Sequence, residues 1–330
     1  MKEAMFYKSG DPARCFLCAR RCLIPENKTG FCRVRRNING KLIAENYGKV
    51  AATGIDPIEK KPFFHFMPGT KTFSFCTAGC NFRCQFCCNF HISQSLSDFG
   101  IDMTPEQIVK AALENNCQGI SYTYTEPTIF FEYAYDTAKL AKKAGLYNCF
   151  VTNGYTTEEP IRKLSKHLDA AVIDIKGSLN SEFHKKIMSV PETEPILEAI
   201  KQYKKNNVFI EITDLIVPEC HKTDDVKKLC LWILENLGKD VPLHFIRFFP
   251  SYKFGKKETE LEVLIKCMDI AKDIGIKYVY LGNVSGFEST HCPECGKLLI
   301  ERNGFNINIK ANKKCSCGNK IPILSGKTIK

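Results

Sequence analysis

The chain has 330 residues, 44% of them apolar, enough for one large domain with small appendages. No apolar stretch reaches bilayer-spanning length and no signal-peptide pattern opens the chain, so a soluble, cytoplasmic protein without a membrane partner is expected. The formal charge of +11 overstates the basicity if the 18 cysteines include metal-bound thiolates. The basic residues are not interleaved with aromatics, so a solvated surface or an acidic electron donor fits better than a nucleic acid.

Three cysteine groups punctuate the chain in tight C-x₂-C and C-x₃-C spacings, the pattern of metal ligands rather than of disulfides. The first, Cys15, Cys18, Cys22 and Cys32, lies in a leader with arginines at 14, 20, 21, 33, 35 and 36. It offers four ligands for a structural zinc or a second iron–sulfur cluster, or four unmetallated thiols. The arginines would bind an acidic partner or offset thiolate charge. The second group is Cys80, Cys84 and Cys87. The third is Cys292, Cys295, Cys315 and Cys317. The remaining cysteines, at 76, 88, 117, 149, 220, 230 and 267, read mostly as buried small hydrophobes.

Between the second and third groups runs a βα alternation. Strands are expected at 72–76, 119–124, 147–152, 170–175, 208–216, 243–249 and 277–281. Helices are expected near 105–115, 129–144, 158–167, 193–205, 223–237 and 258–274. Thr104-Pro105-Glu106-Gln107 reads as a capping box with proline at the first helical position, and Gly145 as a C-terminal cap. Such alternation implies a parallel sheet with right-handed crossovers. Six or seven units fall short of a closed eightfold barrel, so the expected class is α/β, a partial, open β/α barrel. Its active site belongs at the C-terminal ends of the strands. The expected division is a Cys-rich leader over 1–70, the barrel over 71–286 and a ribbon over 287–330.

The second group sits just after the first expected strand. Three soft thiolates at C-x₃-C-x₂-C can hold three corners of a [4Fe-4S] cubane and leave one iron open. An open iron can chelate the amino and carboxylate groups of S-adenosylmethionine (SAM). One electron then breaks the S–C5′ bond, and the resulting 5′-deoxyadenosyl radical abstracts hydrogen from a substrate. Cys76 and Cys88 flank the motif, and either could complete a zinc site. Only Cys80, Cys84 and Cys87 make the complete pattern. Phe86 would shield the cluster from water.

From this loop onward the chain resembles radical SAM enzymes of the pyruvate formate-lyase-activating-enzyme group, most closely the AmmeMemoRadiSam system enzyme. The resemblance rests on stretches such as Asp56-Pro57-Ile58-Glu59-Lys60-Lys61-Pro62, Tyr122-Thr123-Tyr124-Thr125-Glu126-Pro127-Thr128, Asp174-Ile175-Lys176-Gly177 and Thr213-Asp214-Leu215-Ile216-Val217-Pro218. It implies a SAM site at the strand ends. Tyr124, Thr125 and Glu126 would hold the amino group, with Glu126 the charged anchor. Thr152 and Asn153 would border SAM. Asp174 would contact the ribose or a cation, and Lys176 the carboxylate. His244, Arg247 and Asn283 are further SAM or substrate contacts, with His221 a weaker one. Partners implied are a low-potential donor, ferredoxin or flavodoxin, and the associated Memo-like and AMMECR1-like proteins. The rival readings are a glycyl-radical-enzyme activator and an RNA-modifying protein. Val151 stands where activators of this group commonly carry an acid, which weakens the first rival and a bound monovalent cation.

The third group, Cys292-x₂-Cys295 and Cys315-x-Cys317, each followed by glycine, resembles the two knuckles of a zinc ribbon. A β-hairpin turning at Asn303-Gly304 would join them. Iron in a rubredoxin-like site is the alternative.

Overall fold

The computed structural model describes residues 1–94, 100–220, 222–311 and 313–326, so His221 and the last four residues of the expected ribbon lie outside it. All seven expected strands form and lie side by side. They are β2 (Lys71–Cys76), β3 (Gly119–Tyr122), β4 (Tyr147–Thr152), β5 (Ala170–Lys176), β6 (Phe209–Ile216), β7 (Leu243–Arg247) and β8 (Val279–Gly282). Each pairs in parallel with the next in chain order. One strand of this sheet was not expected. Ala52–Pro57 (β1) adds to β2 in antiparallel register, on the leader side of the expected boundary at residue 70. The order β1 to β8 is linear and its end strands are not paired with each other, so the sheet is open. The parallel strands read as nearly continuous apolar runs because both faces are covered.

The helices follow the expected spacing: α1 (Pro105–Glu114), α2 (Phe131–Lys143), α3 (Glu158–Leu164), then α4 (Ser181–Met188), α5 (Glu194–Lys205), α6 (Thr223–Leu237) and α7 (Leu261–Ile274). The capping box of α1 is present, with Gln107 N–H donating to Thr104 Oγ1 at 3.3 Å and Thr104 N–H to Gln107 Oε1 at 2.7 Å. Gly145 ends α2 at φ +77°, a left-handed conformation that favours glycine there. Helix α4 was not expected. Its last carbonyls hold the cysteine loop: Arg83 N–H donates to Met188 O at 3.0 Å and Gln85 N–H to Ile187 O at 2.9 Å.

The leader folds into two small antiparallel sheets, Tyr7–Lys8 with Ala13–Cys15 and Leu23–Ile24, and Lys2–Glu3 with Lys41–Ala44 and Arg35–Ile38. It is fastened to α2 by a fully buried ion pair between Arg35 and Glu132. Three of its arginines bond to the barrel, Arg20, Arg33 and Arg35, while Arg14 and Arg21 are exposed. Arg20 donates to Asn81 O and Ser189 O, Arg33 to Gln94 O, and Arg36 pairs with Glu45.

At the other terminus, β9 (Thr290–His291), β10 (Leu298–Asn303) and β11 (Asn306–Ile309) form an antiparallel sheet. Its hairpin turns at Gly304-Phe305, one residue later than expected, because Asn303 pairs directly with Asn306. Buried Arg302 ties this sheet to the segment between β1 and β2 by donating to Phe64 O at 2.6 Å, and braces its own sheet by donating to Thr290 Oγ1 at 2.7 Å. Among the described residues no helix is long and apolar enough to cross a membrane.

Candidate active site

The loop after β2 is built around Gly79 and Cys80. Gly79 has φ +99°, and a Cβ there would lie 2.8 Å from the carbonyl of Cys32, so a side chain is excluded on both counts. Cys80 Sγ accepts the Phe82 N–H at 3.3 Å, and Cys87 Sγ lies 3.2 Å from Ser93 Oγ. Phe86 stacks on Phe183, centroids 5.7 Å apart, and meets Phe248 and Phe254 edge-on, so it sits in an aromatic cluster beside the cysteine loop. Burial pushes the Cys80 thiol up to about 12 and raises the Cys84 thiol as well. Buried thiols of this kind give up their protons readily only to a metal centre, which replaces the proton's charge.

The ends of β3, β4 and β5 come to this loop. Glu126 is buried and accepts from Thr152 Oγ1 at 2.7 Å, Asn153 N–H at 2.8 Å and Thr128 N–H at 3.0 Å. Burial pushes its carboxyl above the usual range, and its charge in turn raises the Cys80 thiol. Asn153 Nδ2 donates to Asn81 Oδ1 at 2.8 Å, tying β4 to the residue beside Cys80. On β5, Lys176 Nζ lies 2.5 Å from Asp174 Oδ2. Burial opposes the lysine's charge, but Asp174 and the thiols of Cys84 and Cys87 outweigh it and favour the ammonium. Glu126, Thr152, Asn153, Asp174 and Lys176 thus share one end of the sheet with the three cysteines.

The other expected contacts are used differently. Tyr124, at φ +61°, points to the sheet edge, where its hydroxyl donates to Asp56 at 2.7 Å. Thr125 Oγ1 donates to Thr77 O at 2.8 Å and braces the loop. His244 is not at this site. It is the second residue of β7, at the strand's start, buried 2.9 Å from Glu211 and stacked on Tyr280. Glu211 also accepts from the N–H groups of Phe64, His65 and Phe66, so this network closes the opposite end of the sheet. Arg247 is spent on Thr259 O and Glu258, and Asn283 Nδ2 donates to the Arg247 carbonyl at 3.1 Å.

Asp214 on β6 was given no role in the sequence reading. It is buried and accepts from Ser178 N–H at 2.9 Å and Ser178 Oγ at 2.6 Å, holding the turn that follows Lys176 in its left-handed conformation. Burial pushes its carboxyl up to about 7. The folded chain therefore keeps a proton that the unfolded chain has released. Stability contributed by the neutral acid is complete below about pH 4 and is lost as pH rises to about 7, a change of about 4 kcal/mol. Asp214→Asn should flatten that slope. Urea unfolding of both proteins across the window checks it, and a constant difference between them would refute the assignment.

The Radical SAM superfamily model matches residues 74–233, which span this loop and strands β3 to β6. An uncharacterised protein of Methanocaldococcus jannaschii is 47% identical over 98% of this chain and all of its own length. The chain belongs to the radical SAM enzyme superfamily. A second protein of that organism, named for glycyl-radical-enzyme activation, is 30% identical over 52% of this chain and 70% of its own. Among solved structures, Streptococcus suis SuiB bound to S-adenosylmethionine superposes with a TM-score of 0.50 at 14% identity, covering 66% of this chain and 50% of that one, a likeness of fold.

The outer cysteine groups of this radical SAM enzyme differ in spacing. Cys292, Cys295, Cys315 and Cys317 bring all four sulfurs within 4.8 Å of one another, with two pairs at 3.6 Å. Tetrahedral zinc with bonds of about 2.3 Å would set its sulfurs about 3.8 Å apart. Among the described residues no other group of three or more potential ligands closes to 4.8 Å.

Proposed function

We propose that the enzyme reductively cleaves SAM at a [4Fe-4S] cluster held by Cys80, Cys84 and Cys87, and uses the radical to take hydrogen from a substrate. The observation that carries this is the meeting of that loop with Glu126 on one side and Lys176 on the other. When bound, the cluster supplies the electron that splits SAM. The chain's own residues orient the methionyl end. Glu126 is held rigid by Thr152, Asn153 and Thr128, with carboxylate lone pairs to spare for an ammonium. Lys176 offers its ammonium to a carboxylate in exchange for Asp174. The aromatic cluster around Phe86 would shield one side of the iron–sulfur cluster from water. The stretches 56–62 and 122–128 support placing the enzyme beside the AmmeMemoRadiSam proteins.

Under anaerobic reconstitution with dithionite, the enzyme should convert SAM to 5′-deoxyadenosine and methionine. Removing one charge-assisted contact should cost roughly 1.5–3 kcal/mol, about 10- to 150-fold in SAM affinity. Glu126→Gln, which keeps the shape of the strand tie, and Lys176→Ala should each show that loss at unchanged iron content. Wild-type affinity in both variants would move the SAM site elsewhere.

Residues 287–330 are read as a zinc ribbon seated on the barrel, with 1–70 as leader and 71–286 as the catalytic barrel. Support comes from the sulfur spacing at Cys292, Cys295, Cys315 and Cys317. Zinc there would tie two knuckles together and supply no redox chemistry. Replacing the exposed Cys295 and Cys317 by serine should lower zinc by about one atom per chain and leave iron unchanged. Equal zinc in both proteins would place the metal elsewhere.

A further inference from the structure

The face of the sheet turned away from α2 carries a charge with no role in SAM cleavage. On β2, Phe75 packs against Tyr133 of α2, so Ser74 and Cys76 point the other way. Register sets Gly54 and Ser121 beside Ser74, and Cys149 beside Ser121, so all of these share that inner face. Toward the strand starts it is filled by Ile58, Phe63, Phe66 and Met67, packed on Tyr147 and Val172. Lys61 comes from the same segment and is only 3% exposed. Its charge acts on the thiols of Cys76, the last residue of β2, and of Cys149 on β4. Its ammonium lies 2.7 Å from Asp56 Oδ2 and 4.3 Å from the centre of the Tyr124 ring.

The charges at this spot do not balance. Asp56 also accepts from Lys60 Nζ at 2.8 Å and from the Tyr124 hydroxyl at 2.7 Å. Burial opposes the Asp56 charge, but the two lysines and Tyr124 outweigh it and hold the carboxyl below its usual range. One carboxylate thus faces two ammonium groups, of which Lys60 stands largely in solvent and Lys61 does not. Burial pushes the Cys76 and Cys149 thiols up to about 12, so neither supplies a second negative charge. An ammonium has three donors, and among the described residues the only acceptor for Lys61 is Asp56. A buried pair that served structure alone would have its remaining donors bonded as well. Ser74 Oγ adjoins the Tyr124 hydroxyl from the same face, is buried, and makes no hydrogen bond of good geometry. A buried ammonium and a buried hydroxyl therefore both have donors to spare beside one tyrosine, an arrangement that is costly unless a ligand completes it.

Tyr124 links this spot to the cysteine loop. Its carbonyl accepts from Asn89 Nδ2 at 2.8 Å, two residues after Cys87. Its φ of +61° is one that a bulky residue avoids unless the fold imposes it. Gly54 makes room for the ring, since a Cβ there would lie 2.5 Å from the hydroxyl. β1 is a free edge of the sheet, and Gly54 and Tyr124 are partly exposed, which leaves a way in from that edge. We propose that Lys61 and the Ser74 hydroxyl, walled by Tyr124, bind the carboxylate of the enzyme's substrate and aim the adjoining carbon chain at the cysteine loop. The one unanswered positive charge matches a carboxylate and would leave a phosphate dianion only half neutralised. The inference rests on the radical chemistry proposed above, and the experiment separates the two.

The probes are acetate, butyrate and hexanoate, each compared with the alcohol of the same chain and titrated into cluster-loaded enzyme with SAM present. At least one acid should bind about tenfold more tightly than its alcohol. Lys61→Met, which keeps the length without the charge, should weaken that acid about 10- to 150-fold and leave the alcohol's binding as it was. Ser74→Ala removes a hydroxyl that bonds to nothing, so it should fold normally and weaken the acid severalfold; it decides the matter if Lys61→Met does not fold. Equal binding of every acid and its alcohol, or wild-type affinity in these variants, would overturn the carboxylate site even where SAM is cleaved. Supplied perdeuterated, the bound acid should label 5′-deoxyadenosine under dithionite. A C–D bond breaks, the deuterium joins C5′, and the unpaired electron stays on the acid's carbon. Binding that depends on Lys61 but yields unlabelled 5′-deoxyadenosine with all three acids would overturn the role in substrate binding. The same binding with no 5′-deoxyadenosine at all would overturn the SAM chemistry and leave the carboxylate site standing.

Discussion

Replacing Cys84 by alanine should leave a folded protein that forms no detectable 5′-deoxyadenosine. Cys84 is buried, but its backbone is held independently of its thiol. Arg83 and Gln85 on either side donate to α4, and Gln94 Nε2 donates to Cys84 O at 3.0 Å. Deleting one sulfur from such a site should cost about 1–2 kcal/mol of packing, too little to unfold the chain. The same sulfur is one of only three that can hold the cubane, so the loop cluster should be lost completely. Iron analysis, circular dichroism and product assay on one preparation check all three statements. A Cys84→Ala protein that still cleaves SAM would refute the motif assignment, and one that does not fold would refute the account of the loop.

The barrel was legible because its strands are apolar runs that alternate with amphipathic helices. The signals at Thr104, Gly145 and the seven strands all hold in the structure. Two of the elements that escaped lie next to the site or its sheet. The strand Ala52–Pro57 contains a glycine and ends in a proline, residues that weaken a strand on propensity alone, and it is an edge strand paired on one side. Helix α4 is eight residues long and follows Gly177-Ser178-Leu179-Asn180, which reads as loop. Its one local signal was Asn180, whose side chain caps it by accepting from Phe183 N–H at 3.0 Å. At the site, Glu126 and Lys176 were reached through the family resemblance, which put both at the ends of expected strands. His244 could not be placed, because expecting the strand at 243–249 leaves open which of its residues face the catalytic end. Glu211, its buried partner, comes from a different strand, and no local pattern links the two. Asp214 was invisible for a similar reason, since its importance depends on Ser178, 36 residues away.

Glu132→Ala should destabilise the protein by about 3–5 kcal/mol, because it strands a buried guanidinium. Arg35 and Glu132 are almost wholly excluded from solvent. Burial works against the Arg35 charge, and Glu132 together with the Cys15 and Cys32 thiols more than offsets it, so the guanidinium stays charged. Glu132 Oε1 also accepts the Met5 N–H at 2.7 Å, and Arg35 donates to Met5 O at 2.8 Å, so the pair fastens the N-terminal strand as well as the leader sheet to α2. Truncating the acid removes two contacts at once, those to Arg35 and to the Met5 N–H, and leaves a charge that cannot reach water. Chemical unfolding of wild type and variant at equal metal loading measures the cost. The companion variant Arg35→Met with Glu132→Leu removes both charges and refills the space, so it should recover most of the lost stability. If Glu132→Ala unfolds at the wild-type midpoint, the pair is not what holds the leader. If the double variant is as unstable as the single one, packing rather than the stranded charge explains the loss. Because the leader backbone at Cys32 abuts Gly79, loosening it should also expose the cysteine loop. Glu132→Ala should therefore lose iron faster than wild type when both are exposed to air, while the double variant holds it.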